Sequence, residues 1–169
     1  MCIYSKDSTP RTAVRPIRCM KVVRKGVRRK GKPVYYSLYT FIPTVSYIPG
    51  STATMIEQKG EEGMFLFEHP KYTNLTPEFY SKQGIISVFK VEHGLCAYSK
   101  DAVGLRKLYL WAEDYFNRDG RITDIAIIEC EIPANTRYLT GVVDLDGEGT
   151  AYAAEKLRVI REVPFDEIR

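Results

Sequence analysis

Several features are missing from this 169-residue sequence, and each absence excludes a class of protein. No run approaches the roughly 18 to 20 consecutive apolar residues that a membrane helix needs, and the first residues lack the apolar core of a secretory signal. The four cysteines, Cys2, Cys19, Cys96 and Cys130, form no Cys-x-x-Cys pair, which favours reduced thiols over a disulfide framework. We therefore expect a cytoplasmic protein with no membrane partner.

Acidic residues are also missing between Arg11 and Lys32, although the whole chain carries a net charge of only +4. This stretch holds ten Lys or Arg residues. Its last part is the candidate binding segment and contains Arg24, Lys25, Arg28, Arg29, Lys30 and Lys32. Such cations can release the counterions condensed on nucleic acid, so the segment indicates a nucleic-acid or protein partner. The alternative is a solvated hairpin tip.

Length and composition predict one domain. Hydrophobic residues make up 44% of the chain and aromatic residues 12%, which is enough for one sizeable core. Residues 1–15 have few large apolar groups and contain Ser8-Thr9-Pro10, so we expect a loosely packed N-terminal arm there. The single α+β domain is then expected over residues 16–169.

Two helices and a hairpin are predicted from local patterns. Turn residues at 25–26 and 30–33 separate two β-prone runs and predict a β-hairpin with a basic tip. Thr76-Pro77 and Gly84 bound a short helix over 77–83. The principal helix is expected over 99–118, because its apolar residues recur at steps of three and four before Asp119-Gly120.

The remaining elements are predicted to be strands. The segments 85–91, 122–132 and 137–143 are β-prone, and in 157–163 the residues Leu157, Val159 and Arg161 alternate with their neighbours. Strands and helices do not alternate regularly. The expected fold class is therefore α+β, with a mixed, mainly antiparallel sheet and one principal helix packed on it.

An acidic loop near the C-terminus is a candidate metal site. Asp144, Asp146 and Glu148 are followed by Glu155, a spacing that nearly satisfies the loop in which carboxylates surround a calcium ion. Glu148 stands where the shorter Asp or Asn is usual, and the preceding segment is predicted to be a strand rather than a helix. An acidic, glycine-rich hairpin loop explains the same residues without a metal.

Glu129 and Glu131 are the candidate catalytic residues. They are two positions apart, so in a strand both carboxylates lie on one face, where like charges can raise a pKa and create an acid/base pair. The alternative is the solvent face of a strand whose other face consists of Ala126, Ile128, Cys130 and Ile132.

Several short segments of the chain carry a family resemblance. They are His93-Gly94-Leu95-Cys96-Ala97-Tyr98-Ser99, a helix with Ala112 and Tyr115, the strand end Cys130-Glu131-Ile132-Pro133, and Thr150-Ala151-Tyr152. Together they resemble the C-terminal half of ADP-ribosyltransferase-like domains. The start Met1-Cys2, Ser5-Lys6 and the segment 132–141 also resemble uncharacterised small proteins of gut bacteria and their tailed phages.

The transferase resemblance implies a set of functional residues. Glu129 and Glu131 would form the Glu-x-Glu pair, Ser51 and Thr52 the element beside the nicotinamide, and Arg18 the arginine of the first strand. NAD would then be the cofactor. The phage resemblance implies a protein located in the host cytoplasm or the virion.

These observations leave two functional hypotheses. We favour a non-enzymatic accessory protein that contacts a protein or nucleic acid through the basic hairpin and the N-terminal arm, with no cofactor. The alternative is an enzyme that transfers ADP-ribose from NAD through Glu131.

Overall fold

The computed structural model describes residues 3–5, 9–38, 45–55, 66–68, 89–91, 94–100, 103–118, 120, 124–143 and 150–168. In this part of the chain one α-helix and one 3-10 turn accompany thirteen strands, which confirms the α+β class. The short helix predicted over 77–83 lies outside the described residues.

The strands and the helix follow one another along the chain with the following bounds. The strands are β1 (Ile3–Ser5), β2 (Arg11–Thr12), β3 (Ile17–Lys25), β4 (Tyr35–Ser37), β5 (Ser46–Tyr47), β6 (Thr52–Thr54), β7 (Leu66–Glu68), β8 (Phe89–Val91), β9 (Leu95–Ser99), β10 (Ile125–Ile132), β11 (Arg137–Val143), β12 (Ala151–Ala154) and β13 (Lys156–Val163). Helix α1 (Val103–Asn117) lies between β9 and β10, and the 3-10 turn is Phe165–Glu167.

All pairings between these strands are antiparallel. The main order is β6-β13-β10-β3-β9-β12-β11-β1-β8-β7, while β4 and β5 extend from β3, and β2 pairs with β11. Strand β10 is paired along its whole length with β3, from Ile125 opposite Arg24 to Ile132 opposite Ile17. These two long strands therefore form the centre of the sheet.

Strand β10 is buried on both faces over its middle section. Ile127 packs in one cluster with Met20 and Val22, and this cluster includes the α1 residues Leu105 and Leu108. The other face contributes to a second cluster, with Ala126, Ile128, Cys130 and Ile132. A strand covered on both faces needs apolar residues at consecutive positions, which explains the run from Ile125 to Ile128.

Helix α1 confirms the predicted apolar stripe, but it begins later than the predicted Ser99. Ser99 is instead the last residue of β9, where it lies opposite Cys19 of β3, and its N–H donates to the Thr150 carbonyl at 2.7 Å. Pairing on both sides gives the backbone groups of Ser99 hydrogen-bond partners, whereas the first N–H groups of a helix have no partner within the helix. The sheet therefore extends to Ser99.

The N-terminal residues Ile3–Ser5 differ from the loosely packed arm that the sequence predicts. Strand β1 lies between β11 and β8, Ile3 is fully buried, and the Ser5 hydroxyl donates to the Thr140 carbonyl at 2.7 Å. A Cβ at Gly141 would come within 2.3 Å of the Tyr4 carbonyl oxygen, so glycine is needed for this close approach. Burial of Ile3 and Tyr4, together with pairing to two neighbouring strands, holds this segment in the sheet.

Candidate functional site

The predicted basic hairpin is present, and its tip is a tight turn. Strand β4 pairs with the end of β3, with Lys25 opposite Tyr35. Further out, Arg29 and Lys32 exchange two backbone hydrogen bonds of 3.0 Å each and enclose Lys30 and Gly31. The tip is therefore a two-residue hairpin loop at the end of a short two-stranded ribbon.

The backbone at this turn is unusual for a lysine. Lys30 has φ +50° and Gly31 has φ +76°, the positive pair that characterises a type I′ turn. Glycine adopts this conformation freely, whereas the first position normally holds Asn, Asp or Gly. A lysine there places a cation at the turn at some cost in backbone energy.

The residues that flank the turn carry like charges. Arg29 and Lys32 are directly opposite each other, an arrangement that destabilises a strand pair. Arg28, Arg29, Lys30 and Lys32 are all exposed, and none of them forms an ion pair with a carboxylate among the residues described. These four side chains, called the tip cations below, form a concentration of uncompensated positive charge.

Arg24 and Lys25, the other two predicted binding residues, lie at the base of the hairpin and have structural contacts. The Arg24 Nε donates to the Ser37 carbonyl at 3.2 Å, and its guanidinium lies 5.8 Å from the centre of the Phe116 ring. The Lys25 ammonium is 2.8 Å from a Glu162 carboxylate oxygen. The predicted binding segment is thus divided between a structural base and a charged tip.

Glu162 connects the hairpin base to β13. Its second carboxylate oxygen accepts a hydrogen bond from the Tyr35 hydroxyl at 2.5 Å. Partial burial raises the pKa of Glu162, but the hydrogen bonds from Lys25 and Tyr35 outweigh this effect, and the pKa is lowered. Burial, together with the bond to Glu162, raises the pKa of Tyr35. The base is therefore held by an ionised carboxylate.

Glu129 and Glu131 lie on one face of β10, as predicted, and both are paired with arginines. Glu131 is 2.8 Å from Arg158 and 3.7 Å from Arg18. Glu129 is 3.0 Å from Arg161 and 3.3 Å from Arg18. We call these five residues the arginine-glutamate ladder. The carboxylates are largely covered, while each arginine side chain is about half exposed.

A β-bulge in the pairing of β10 with β13 builds one side of the ladder. Glu129 is opposite Arg161 but the next residue, Cys130, is opposite Val159, so Ile160 is the extra residue. Regular alternation would put Arg161 on the face of Leu157 and Val159, as the sequence predicts. The bulge moves Arg161 to the face of Arg158, because an extra residue reverses the alternation of side chains.

The ladder brings together residues that the transferase resemblance singles out. Arg18, Glu131, Arg158 and Thr52 are opposite one another in a row across β3, β10, β13 and β6. Residues in such a row share one face of the sheet. Arg18, Glu131 and Thr52 therefore lie on the same surface, and Arg158 lies between Glu131 and Thr52. Ser51, the residue before Thr52 in the sequence, is exposed.

The sequence did not predict that one lysine, Lys21, is buried. Lys21 is almost fully buried, and its ammonium donates to the Cys96 carbonyl at 2.5 Å and lies 5.3 Å from the centre of the Tyr47 ring. Burial lowers the pKa of Lys21, while Tyr47 and the neighbouring thiols raise it, and the raising influence prevails. The interruption of an apolar run between Met20 and Val22 was the only sequence signal for this residue.

Two of the cysteines face each other in the core. Cys19 of β3 is directly opposite Cys130 of β10, and both are buried. Burial raises the pKa of the Cys130 thiol to about 12 and that of Cys19 well above its usual value. Since the thiolate is the reactive form, these thiols are poor nucleophiles.

Of the four residues proposed to bind calcium, the structure describes only Glu155. Asp144, Asp146 and Glu148 lie outside the described residues, and Glu155 bonds to the Arg137 Nε at 2.8 Å. Within the described ranges, no three His, Cys, Asp or Glu side chains are grouped so that they could hold a metal ion.

Comparisons with known proteins add no family to this description. No family model, curated protein or solved structure matches the chain. The helix that the structure describes is too short and too polar to span a membrane.

Proposed function

We propose that this protein is a non-enzymatic accessory protein that binds nucleic acid through the four tip cations of the β3–β4 hairpin. One observation carries this proposal, namely that Arg29 and Lys32 are opposed across a turn whose positive φ is occupied by Lys30. Each choice costs folding stability. A polyanion relieves the repulsion, since phosphates neutralise the cations and their counterions are released, and the cation at Lys30 adds to this binding.

A merely solvated tip would not require this arrangement. Exposed hairpins are usually closed by Asn-Gly or Asp-Gly and stabilised by opposite charges across the strands. Sequences depart from such local rules mainly at functional sites. The N-terminal arm is left out of the proposal, because Ile3–Ser5 are buried within the sheet.

The test compares two triple variants with the same charge change. The hairpin variant replaces Arg29, Lys30 and Lys32 with Gln, and the control replaces Arg15, Lys100 and Lys156, which are exposed elsewhere. Each lowers the net charge from +4 to +1, that is by three. Fluorescence anisotropy is measured with single-stranded DNA, duplex DNA and duplex RNA of equal length at about 50 mM salt.

We expect at least one of these nucleic acids to bind, with affinity that falls as salt is raised. The hairpin variant should weaken binding by more than about tenfold, and the control by less than about threefold, because only the tip contacts phosphates. Absence of binding to all three nucleic acids would refute the proposal. Equal losses in the two variants would show that only net charge matters and would also refute it.

The row formed by Arg18, Glu131, Arg158 and Thr52 favours a second candidate, an ADP-ribosyltransferase-like enzyme that uses NAD. Three of these residues are those that the resemblance implies, and they share one face of the sheet. Against this candidate, Glu131 is paired with two arginines and would have to exchange them for substrate. A binding function requires no such rearrangement.

Incubation with labelled NAD and a cell lysate tests the second candidate. Transfer of label that depends on the protein, and that is lost in Glu131→Gln but kept in Glu167→Gln, would establish it in place of the binding role. Glu167 is a suitable control because its carboxylate is paired with Arg161 of the ladder and, among the described residues, with no other cation. Label transfer that is absent or equal in both variants would eliminate Glu131 as a catalytic residue.

A further inference from the structure

The shape of the hairpin bears on which form of nucleic acid it takes, and the inference below rests on the proposed function. Two paired strands are about 4.8 Å apart, and the major groove of B-form DNA, about 12 Å wide, admits such a two-stranded ribbon. The deep and narrow major groove of A-form RNA does not. The width of the ribbon thus distinguishes between the two duplexes.

The ribbon is also long enough to enter a groove. Gly26 still bonds to the Val34 carbonyl at 2.7 Å, and the turn begins four residues later at Lys30. The shorter strand sets the length of the ribbon, and its three residue steps from Val34 to Gly31 span about 10 Å at roughly 3.3 Å each, which exceeds the groove depth of about 8.5 Å. All residues from Val27 to Lys32 are exposed. The tip can therefore reach the base edges before the sheet meets the backbone.

The pairing of the two hairpin strands shifts by one residue between the base and the tip, and this shift sets the direction of the ribbon relative to the sheet. Three residues separate Lys25 from Arg29, whereas two separate Lys32 from Tyr35, the partner of Lys25. The first strand therefore contains one extra residue, which bends and twists a hairpin relative to its sheet. Val27, with 84% of its surface exposed, adds an apolar side chain of the kind that contacts thymine methyl groups in the major groove.

The described part of the hairpin lacks an aromatic platform for unpaired bases. The Tyr35 ring is buried and its hydroxyl is bonded to Glu162. The Tyr36 ring lies against the backbone of Gly26 and is only partly exposed. Binding of single strands usually depends on exposed aromatic rings that stack on bases. The tip cations therefore act without stacking, which suits a base-paired ligand.

We infer that the ligand of the hairpin is double-stranded B-form DNA, and that the tip inserts into its major groove. The inference is tested by anisotropy with duplex DNA, duplex RNA and single-stranded DNA of matched length and sequence. Methyl green, which occupies the major groove, and netropsin, which occupies the minor groove, serve as competitors. Gly31→Val keeps every charge but disfavours the φ of +76° that the turn needs, so it alters the shape of the tip alone.

We expect duplex DNA to bind at least about tenfold more tightly than the other two forms, since only B-form DNA offers a groove that fits the ribbon. Methyl green should displace the protein and netropsin should not. Gly31→Val should reduce the preference to below about threefold while leaving binding to single strands unchanged. Thermal unfolding of this variant checks that its fold is retained.

The outcomes separate this inference from the proposed function. Equal affinity for all three forms, displacement by netropsin alone, or an undiminished preference in a folded Gly31→Val variant would each overturn groove insertion. The proposed function would survive each of those results. If the protein bound none of the three nucleic acids, both groove insertion and the proposed function would be overturned.

Discussion

Two arginine-rich regions of this molecule use the same side chains in opposite ways. In the arginine-glutamate ladder each guanidinium lies beside a carboxylate, and the three arginines share Glu129 and Glu131. At the hairpin tip Arg29 is opposite Lys32 and no carboxylate of the described residues is paired with either. The paired charges of the ladder contribute to the stability of the fold, whereas the unpaired charges of the tip favour binding of an external anion.

The two regions also differ in the backbone that supports them. The ladder is built on β10, β3 and β13, strands that have core clusters beneath them. None of the residues from Val27 to Lys32 belongs to either cluster, and the tip is closed by the two backbone hydrogen bonds between Arg29 and Lys32. Substitutions in the ladder should therefore change stability, and substitutions at the tip should change binding.

The largest effect is expected when the ladder is broken at Glu131. Glu131→Ala removes the partner of Arg158 and one partner of Arg18, and should lower the free energy of unfolding by about 2 kcal/mol, between the values for exposed and buried pairs. Urea denaturation measures this change. The control is Glu167→Ala, whose carboxylate is half exposed and should cost below about 0.5 kcal/mol. Equal effects of the two substitutions would mean that the ladder is an ordinary surface network.

A smaller effect is expected at the hairpin base, where the two regions meet. The pKa of Glu162 is lowered, so its ion pair stabilises the fold above about pH 4.3 and is lost as the pH falls through the lowered pKa. Because Glu162 is partly exposed, the loss should stay below about 1 kcal/mol.

Denaturation of the wild type and Glu162→Gln at several acidic pH values checks this prediction. The variant should be less stable at neutral pH and approach the wild type as the pH falls. A difference that stays constant between neutral and acidic pH would contradict the assignment.

The smallest effect concerns the turn itself. Lys30→Asn should raise the free energy of unfolding by about 0.5 kcal/mol, since Asn tolerates positive φ and the substitution removes one of the crowded charges. The same change should weaken nucleic-acid binding by a few-fold. Chemical denaturation and anisotropy of this single variant measure both quantities. If stability fell, the turn would not be strained by its lysine.

Local patterns were sufficient for the longest elements, but not for short strands such as β2, β5, β6 and β12. The recurrence of Leu105, Leu108 and Ala112 predicted helix α1, and the turn residues around Gly31 predicted the hairpin. The helix start was wrong because Ser99 has a helix-capping side chain but is held in the sheet by Cys19 and Thr150. These partners are distant in sequence, so no local pattern could reveal them.

The candidate site shows the same limit. The pairing of Glu129 and Glu131 with arginines depends on the register of three strands and on a bulge at Ile160. A bulge is not evident in the alternation of residues 157–163, and Arg161 was therefore expected on the wrong face. The basic hairpin could be predicted because its charges are neighbours in sequence, whereas their opposition across the turn became visible only in the fold.

The salt dependence of nucleic-acid binding tests the central claim most directly. If the four tip cations each neutralise a phosphate, log K should fall against log salt concentration with a slope of about −3.6 for duplex DNA. Replacing Arg29, Lys30 and Lys32 should reduce the slope to about −1, and the control variant should keep the wild-type slope. The same slope in all three proteins would contradict the assignment of binding to the hairpin tip.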